Sequence, residues 1–216
     1  MRPLPPVVFD LDGTLIDSVP DLMAAVNRML TDEGLPEMAR AEVQSYVGDG
    51  APVLVGRVMA ARGLPEARHQ ELTERIVADY TDHSAEATKV YPNVRAALNT
   101  LAHTGHALGI CTNKPIGATR AVLEALGLSD IFSVVIGGDS LPECKPNPTP
   151  LHAAFAAIGG PGLYVGDSEV DARTALAAEL PFLLYTEGYL RVPISQIRVT
   201  QAFSDFAELP EIVARF

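Results

Sequence analysis

The sequence predicts an α/β protein: an open parallel sheet flanked by helices, with a small helical cap inserted after the first strand. Three observations lead there. From about Ala107 onward short apolar runs alternate with amphipathic segments, the pattern of a parallel sheet covered by helices. A further apolar run, Val7-Val8-Phe9, stands near the N-terminus, and Gly13 lets the chain turn sharply after it. Between these parts, residues 18 to about 85 hold several amphipathic helices and no convincing strand.

In chain order, the first strand is expected over 6–10. Ser18 is a suitable N-cap for the helix that follows, Leu22, Val26, Met29 and Leu30 give it one apolar face, and Gly34 ends it. Further helices fit about 39–47, 51–62 and 66–83. Strands are expected at 107–111, 133–136, 163–165 and 182–185, with helices between them at about 116–126, 149–158 and 169–178. Gly127 and Gly159 stand where helix C-termini favour glycine. Residues 1–16 and 86–216 thus form a core domain and 17–85 a cap, hinged near 14–18 and 83–91. Ligands of open α/β sheets bind at the carboxyl ends of the strands, so the insertion would lie over the site.

Composition narrows the function. A chain of 216 residues, 48% hydrophobic, can bury one full core and keep residues for a small accessory domain. No stretch approaches the roughly 20 apolar residues of a membrane helix, and no charged-then-apolar leader is seen, so a cytoplasmic protein is expected. Two cysteines, Cys111 and Cys144, are too few for a disulfide framework, and Cys111 reads as a small buried thiol. A formal charge of −11 without a basic run argues against nucleic acid. An anionic substrate then needs local cations, either a metal ion or a few placed Lys and Arg side chains. A protein partner, a second copy of the chain included, stays open.

Four features fall at or just beyond predicted strand ends. Asp10 and Asp12 are two apart, on one side of a strand, and carboxylates held that close repel unless a cation lies between them or one holds a proton. Thr112-Asn113-Lys114 offers a hydroxyl, an amide and an ammonium to an anion. Lys145 lies in Glu143-Cys144-Lys145-Pro146-Asn147-Pro148, where the prolines exclude a regular helix. In Gly166-Asp167-Ser168-Glu169-Val170-Asp171 the chain turns into a helix, placing Asp167 and Asp171 on one face. Hard oxygen donors gathered this way suit Mg²⁺, and the absence of Cys and His from the set disfavours zinc. A second Gly-Asp-Ser, at Gly138-Asp139-Ser140, lacks the later carboxylate and runs into Leu141-Pro142; Asp139 reads equally as a turn residue or a site residue.

Through Asp10-x-Asp12-Gly13-Thr14, Thr112, Lys145 and Gly166-Asp167-x-x-x-Asp171, in that order, nearly the full chain resembles the haloacid-dehalogenase-like phosphohydrolases. The resemblance implies a Rossmann-like core and a mechanism. Asp10 would be the nucleophile and Asp12 the general acid/base, with Thr112 and Lys145 holding phosphoryl oxygens. Asp10, the Asp12 carbonyl and Asp167 would hold Mg²⁺, with Asp171 supporting them. Asp12 argues against the dehalogenases, which lack an acid there, and the phosphonate hydrolases, which have a small residue. The wording Asp12-Gly13-Thr14-Leu15-Ile16-Asp17-Ser18 and Cys111-Thr112-Asn113-Lys114-Pro115, with Val47-Gly48-Asp49-Gly50 in the cap, is similar to a bacterial branch acting on 2-phosphoglycolate, although sugar-phosphate phosphatases and mutases share the catalytic residues.

The substrate expected is therefore a small phosphate ester. Its carboxylate would be met by main-chain amides of Gly48, Asp49 and Gly50, unless Gly48 only ends a helix, and by the fork of Arg57, which reads equally as a solvated side chain, with Asn113 and Lys114 also on the ligand. Relatives usually place Gly where this chain has Glu179, so a helix end there loses its usual left-handed residue. Three rivals remain: a phosphomutase, a phospho-accepting signalling domain, whose acidic pair is adjacent and which needs no cap, and an inactive binding protein.

Overall fold

Val7, Val8 and Phe9 are fully buried because the strand they form has a neighbour on each edge and helices over each face. The computed structural model describes residues 4–216. In chain order its strands are β1 (Val7–Phe9), β2 (Ile16–Asp17), β3 (Lys89–Val90), β4 (Leu108–Cys111), β5 (Val134–Ile136), β6 (Leu163–Gly166), β7 (Phe182–Tyr185) and β8 (Gln201–Phe203). The helices are α1 (Val19–Asp32), α2 (Arg40–Gln44), α3 (Ala51–Arg62), α4 (His69–Asp82), α5 (Val94–Thr104), α6 (Ile116–Ala125), α7 (Thr149–Ala157), α8 (Glu169–Ala177) and α9 (Leu209–Val213).

Six strands pair in parallel in the order β5-β4-β1-β6-β7-β8, with Val7 opposite Leu108 on one side and Leu163 on the other. Strand alternation sends Val7 and Phe9 into one core with α5, α6 and α9, and Val8 into the other with α7 and α8. The chain works outward from β1 through β4 to β5, then returns to β6 on the other side of β1. This reversal opens a crevice at the carboxyl ends of β1, β4 and β6, where such sheets bind ligands.

Helices α1 to α4 surround a separate apolar cluster that includes Val26, Leu30, Val43, Val55, Leu72 and Ile76, joined by Ala118 and Tyr189 from the sheet-bearing part. The two chain crossings pair as the antiparallel ribbon β2–β3. Asp21 of α1 ties the return crossing, accepting hydrogen bonds from the Ala87 and Thr88 N–H groups and the Thr88 hydroxyl at 2.9, 2.8 and 2.6 Å.

Several expectations need correction. Ser18 precedes α1 as foreseen, but its side chain caps nothing: its N–H donates to the Tyr189 hydroxyl at 3.0 Å, and its own hydroxyl is buried without a partner. The helix expected at 39–47 is the shorter α2, and that at 66–83 is a 3₁₀ turn, Glu66–Arg68, leading into α4. Helix α5 was not foreseen, although Val94, Ala97, Leu98 and Leu101 carry a helical period and Gly105 closes it at φ +99°. Strand β8 and helix α9 were not foreseen either, being three and five residues long. Asp139 is an exposed turn residue whose carboxylate accepts the Ile116 N–H at 2.7 Å, so it serves the start of α6 and not the site.

Candidate active site

Strand β1 ends at Phe9, so Asp10 and Asp12 lie just past it, in a turn closed by the Ile16 carbonyl accepting from Gly13 N–H at 2.8 Å. Both still line one cavity, of about 60 Å³, between the sheet ends and α1, α3 and α4. Thr112, Asn113 and Lys114, after β4, line it too, with Gly48 and Gly50 of the cap. That volume has room for roughly four to six water-sized groups, which suits a small ligand.

Behind Asp10 lies a buried cluster. Lys145 Nζ is 2.8 Å from Asp10 Oδ1, 2.7 Å from Asp171 Oδ1 and 2.9 Å from the Tyr164 hydroxyl. The Lys145 loop is held in place by Asn113, whose Oδ1 accepts the Lys145 N–H at 2.9 Å and whose Nδ2 donates to the Lys145 carbonyl at 2.9 Å and the Gly48 carbonyl at 3.1 Å. The Asn113 side chain therefore fastens the Lys145 loop to the Gly48 loop and has no donor left for a ligand.

Asp171 is spoken for on every side. Its Oδ1 accepts from Lys145 and from the Tyr164 hydroxyl at 2.8 Å, and its Oδ2 accepts from the Ser168 hydroxyl, the Ser168 N–H and the Asp167 N–H at 2.6, 3.1 and 3.3 Å. Ser168 in turn caps α8, completing a capping box with Asp171. Burial pushes the Asp171 carboxyl up, but the Lys145 ammonium and these hydrogen bonds outweigh it and hold Asp171 below the ordinary carboxylate range.

Asp10 and Asp167 differ. Burial, with the charge of Asp171, pushes Asp10 up to about 7 against the opposing pull of Lys145. Burial, Asp171 and Asp10 push Asp167 well above the ordinary range, although the Tyr189 N–H and the Thr14 hydroxyl donate to it at 2.6 and 2.7 Å. Asp10 Oδ1 is buried and has the Lys145 ammonium, at 2.8 Å, as its partner.

These residues fit a divalent metal. Ligand oxygens of Asp10, Asp167 and Asp171 come within 4.8 Å of one another, and with all three ionised the single Lys145 ammonium would leave two negative charges for a cation to neutralise. Asp171 has no lone pair to spare, whereas each Asp167 oxygen accepts one bond and Asp10 Oδ1 has only its pairing with Lys145, so the free ligand capacity lies on Asp10 and Asp167. An oxygen-only set of this kind suits Mg²⁺. A Cβ at Gly13 or Gly188 would run into the Asp167 carboxylate, so the close packing around that ligand depends on both glycines.

The remaining expected residues divide. Lys114 donates to both Asp12 oxygens, at 3.1 and 3.2 Å, and its Nζ lies 4.0 Å from the centre of the Tyr80 ring. Thr112 presents its hydroxyl at the end of β4, accepting the Lys114 N–H at 3.2 Å. Gly48 and Gly50, at φ +116° and +93°, let the cap loop rest on Asn113, where any side chain would be strained. Arg57 is a correction: it does not line the cavity, because its Nη2 pairs with Asp49 at 2.7 Å and its Nη1 donates to the Tyr46 carbonyl at 3.0 Å. Asp49 is likewise turned away, bound also by Arg191, which Glu169 holds from the core side at 2.5 Å.

Residues 7–185 match the family of Haloacid dehalogenase-like hydrolases. A phosphoglycolate phosphatase of Cereibacter sphaeroides is 49% identical over 98% of this chain and 99% of its own length.

The chain belongs to the haloacid dehalogenase-like hydrolases.

As a member of that family it is an enzyme. A phosphoglycolate phosphatase of Haemophilus influenzae is 37% identical over 95% of this chain and 96% of its own. The solved structure of a predicted phosphoglycolate phosphatase from Haemophilus somnus superposes with a TM-score of 0.90 at 34% identity, covering 98% of this chain and 99% of that one.

Some residues that bond to the candidate site were not among those expected from the sequence. Ser168 was readable, since Ser-x-x-Asp before a helix is a capping signal. Thr14 stood inside the motif. Tyr164, Tyr189 and Arg191 carried no local signal, because their partners lie up to 172 residues away.

Proposed function

We propose that this hydrolase is a Mg²⁺-dependent phosphatase that cleaves 2-phosphoglycolate to glycolate and phosphate through an aspartyl-phosphate on Asp10, with residues 17–85 acting as a cap over the site. One observation supports the covalent role: Asp10 is a buried carboxylate that lines the cavity and whose Oδ1 pairs with Lys145 at 2.8 Å. That oxygen is held against the Lys145 ammonium, so the carboxylate is desolvated and oriented beside a fixed positive charge. The activity named for the relatives favours 2-phosphoglycolate over a sugar phosphate.

Asp10 and Asp167 would hold the metal, which would supply positive charge to neutralise the phosphoryl group. Asp10 attacks phosphorus while the bond to the leaving oxygen breaks and Asp12 gives that oxygen a proton. Asp12 then takes a proton from water, whose oxygen attacks phosphorus and frees Asp10. Lys145, fixed by Asp171 and Tyr164, keeps a positive charge beside Asp10 throughout, and the Thr112 hydroxyl is placed for a phosphoryl oxygen.

The test is phosphate release from a panel of small esters with and without Mg²⁺, using wild-type enzyme and a folded Asp10→Asn variant. Release from 2-phosphoglycolate above sugar phosphates, abolished by chelator and by Asp10→Asn, is expected. Undiminished turnover by Asp10→Asn would overturn the covalent role, and a preference for sugar phosphates would overturn the substrate.

A further inference from the structure

The cap side of the cavity is nearly all apolar, lined by Leu22, Val47, Leu54, Ile76 and Val77. Tyr80 of α4 is the exception. It is 3% exposed and lines the cavity, and its hydroxyl, near Lys114 and Thr88, makes no well-formed hydrogen bond to either. Buried hydroxyls are rarely left so, and a ligand oxygen bound beside Lys114 would give this one a partner. Against it from the core lies Lys114, the one cation lining the cavity among the described residues, between the Tyr80 ring and the Asp12 carboxylate.

We propose that Lys114 and Tyr80 form the subsite for a carboxylate on the leaving group, so that a core ammonium and a cap hydroxyl, in place of Arg57, select an α-carboxylate ester. This rests on the reading of the site as one for 2-phosphoglycolate. In that ester the leaving oxygen and the carboxylate oxygens are three bonds apart, close enough for neighbouring protein groups to hold one each. Asp12 and Lys114 are such neighbours, at 3.1 Å: Asp12 meets the leaving oxygen and Lys114 the carboxylate. Ion pairing to Asp12 and stacking on Tyr80 fix the ammonium before the ligand arrives, which lowers the ordering cost of binding. Lys114 and Tyr80 come from opposite sides of the cavity, so the subsite is complete only with the cap seated as it is here.

The experiment compares kcat/KM for 2-phosphoglycolate with that for ethyl phosphate, which differs by lacking the carboxylate, in wild type and in Lys114→Met, Tyr80→Phe and Arg57→Met. Lys114→Met disturbs Asp12 and slows both esters, so the ratio of the two is the measured quantity, with a melting curve to confirm folding. The ratio should fall about 10- to 100-fold in Lys114→Met and about 10-fold in Tyr80→Phe, the factors that a hydrogen bond to a charged group carries, and stay within about twofold in Arg57→Met. A ratio unmoved by both Lys114→Met and Tyr80→Phe, in an enzyme that still prefers 2-phosphoglycolate, overturns this subsite alone. A wild type with no preference for 2-phosphoglycolate over ethyl phosphate overturns the substrate reading and the subsite together.

Discussion

Mg²⁺ affinity should fall steeply as the pH drops below neutrality, because the two carboxylates with free ligand capacity hold protons unusually well. In the metal-free chain Asp10 titrates at about 7, raised by burial and by Asp171 against Lys145, and Asp167 is raised as well. Both folded values lie above the ordinary carboxylate value of 3.8, so the held protons favour the fold. That contribution is fully present below the ordinary value and is lost as pH rises through about 7 for Asp10. The metal-free protein thus loses stability over that window on this account, and the metal, which needs both groups ionised, restores it at the upper end. For one displaced proton with a pKa of about 7, Kd rises about 25-fold between roughly pH 7.5 and 5.5, and a second proton steepens the slope toward two decades per pH unit. Titration calorimetry in buffers of different protonation enthalpy counts the protons released, and melting curves should show a larger Mg²⁺ shift at the higher pH. A Kd varying less than about threefold over this range, with no proton release, would refute the placement of the metal on Asp10 and Asp167.

Two further outcomes follow from particular contacts. Asp12→Asn should cost about 10²–10⁴-fold in kcat on 2-phosphoglycolate and far less on 4-nitrophenyl phosphate, whose leaving group needs no proton; equal losses would remove Asp12 as the acid. Glu179→Gly should stabilise the fold by about 0.5–1 kcal/mol, read from urea unfolding. Glu179 is exposed at φ +56° in the left-handed turn ending α8, where its N–H meets the Leu176 carbonyl at 3.2 Å and the Leu180 N–H meets the Ala175 carbonyl at 3.0 Å. Glycine keeps both bonds without the side chain's strain, so an unchanged or lower stability would refute this account.

The parts of the molecule readable in the sequence are those whose cause is local. Val7-Val8-Phe9 and Phe182-Leu183-Leu184-Tyr185 are buried on both faces and so are apolar without a break. Asp10, Asp12, Thr112, Lys114, Lys145, Asp167 and Asp171 were visible because each stands at or near the end of such a run or in a loop that proline shapes. What escaped depends on residues distant in the chain. Nothing near Tyr164 says that its hydroxyl reaches Asp171 and the Cys111 carbonyl, and nothing near Asp49 says that Arg57 and Arg191 both claim it. The Arg57 expectation failed for that reason: a guanidinium one helix beyond a glycine loop was free in one dimension and already bound in three. Helix α5 is different, since its period was present in the sequence and only its unusual start, Asn93 at φ +60°, disguised it.

Residue 189 belongs to two bodies at once. Its backbone N–H holds Asp167, while its phenol, 2.8 Å from Asp17, accepts the N–H groups at the first turn of α1. Anyone exchanging this cap for another would naturally cut at the two places where the chain passes between the parts. Such a chimaera would inherit a phenol shaped for the departed helix, anchored to a carboxylate it must not disturb. The transplantable unit is therefore the inserted segment together with Tyr189, a boundary drawn by hydrogen bonds across 171 residues of chain and not by connectivity.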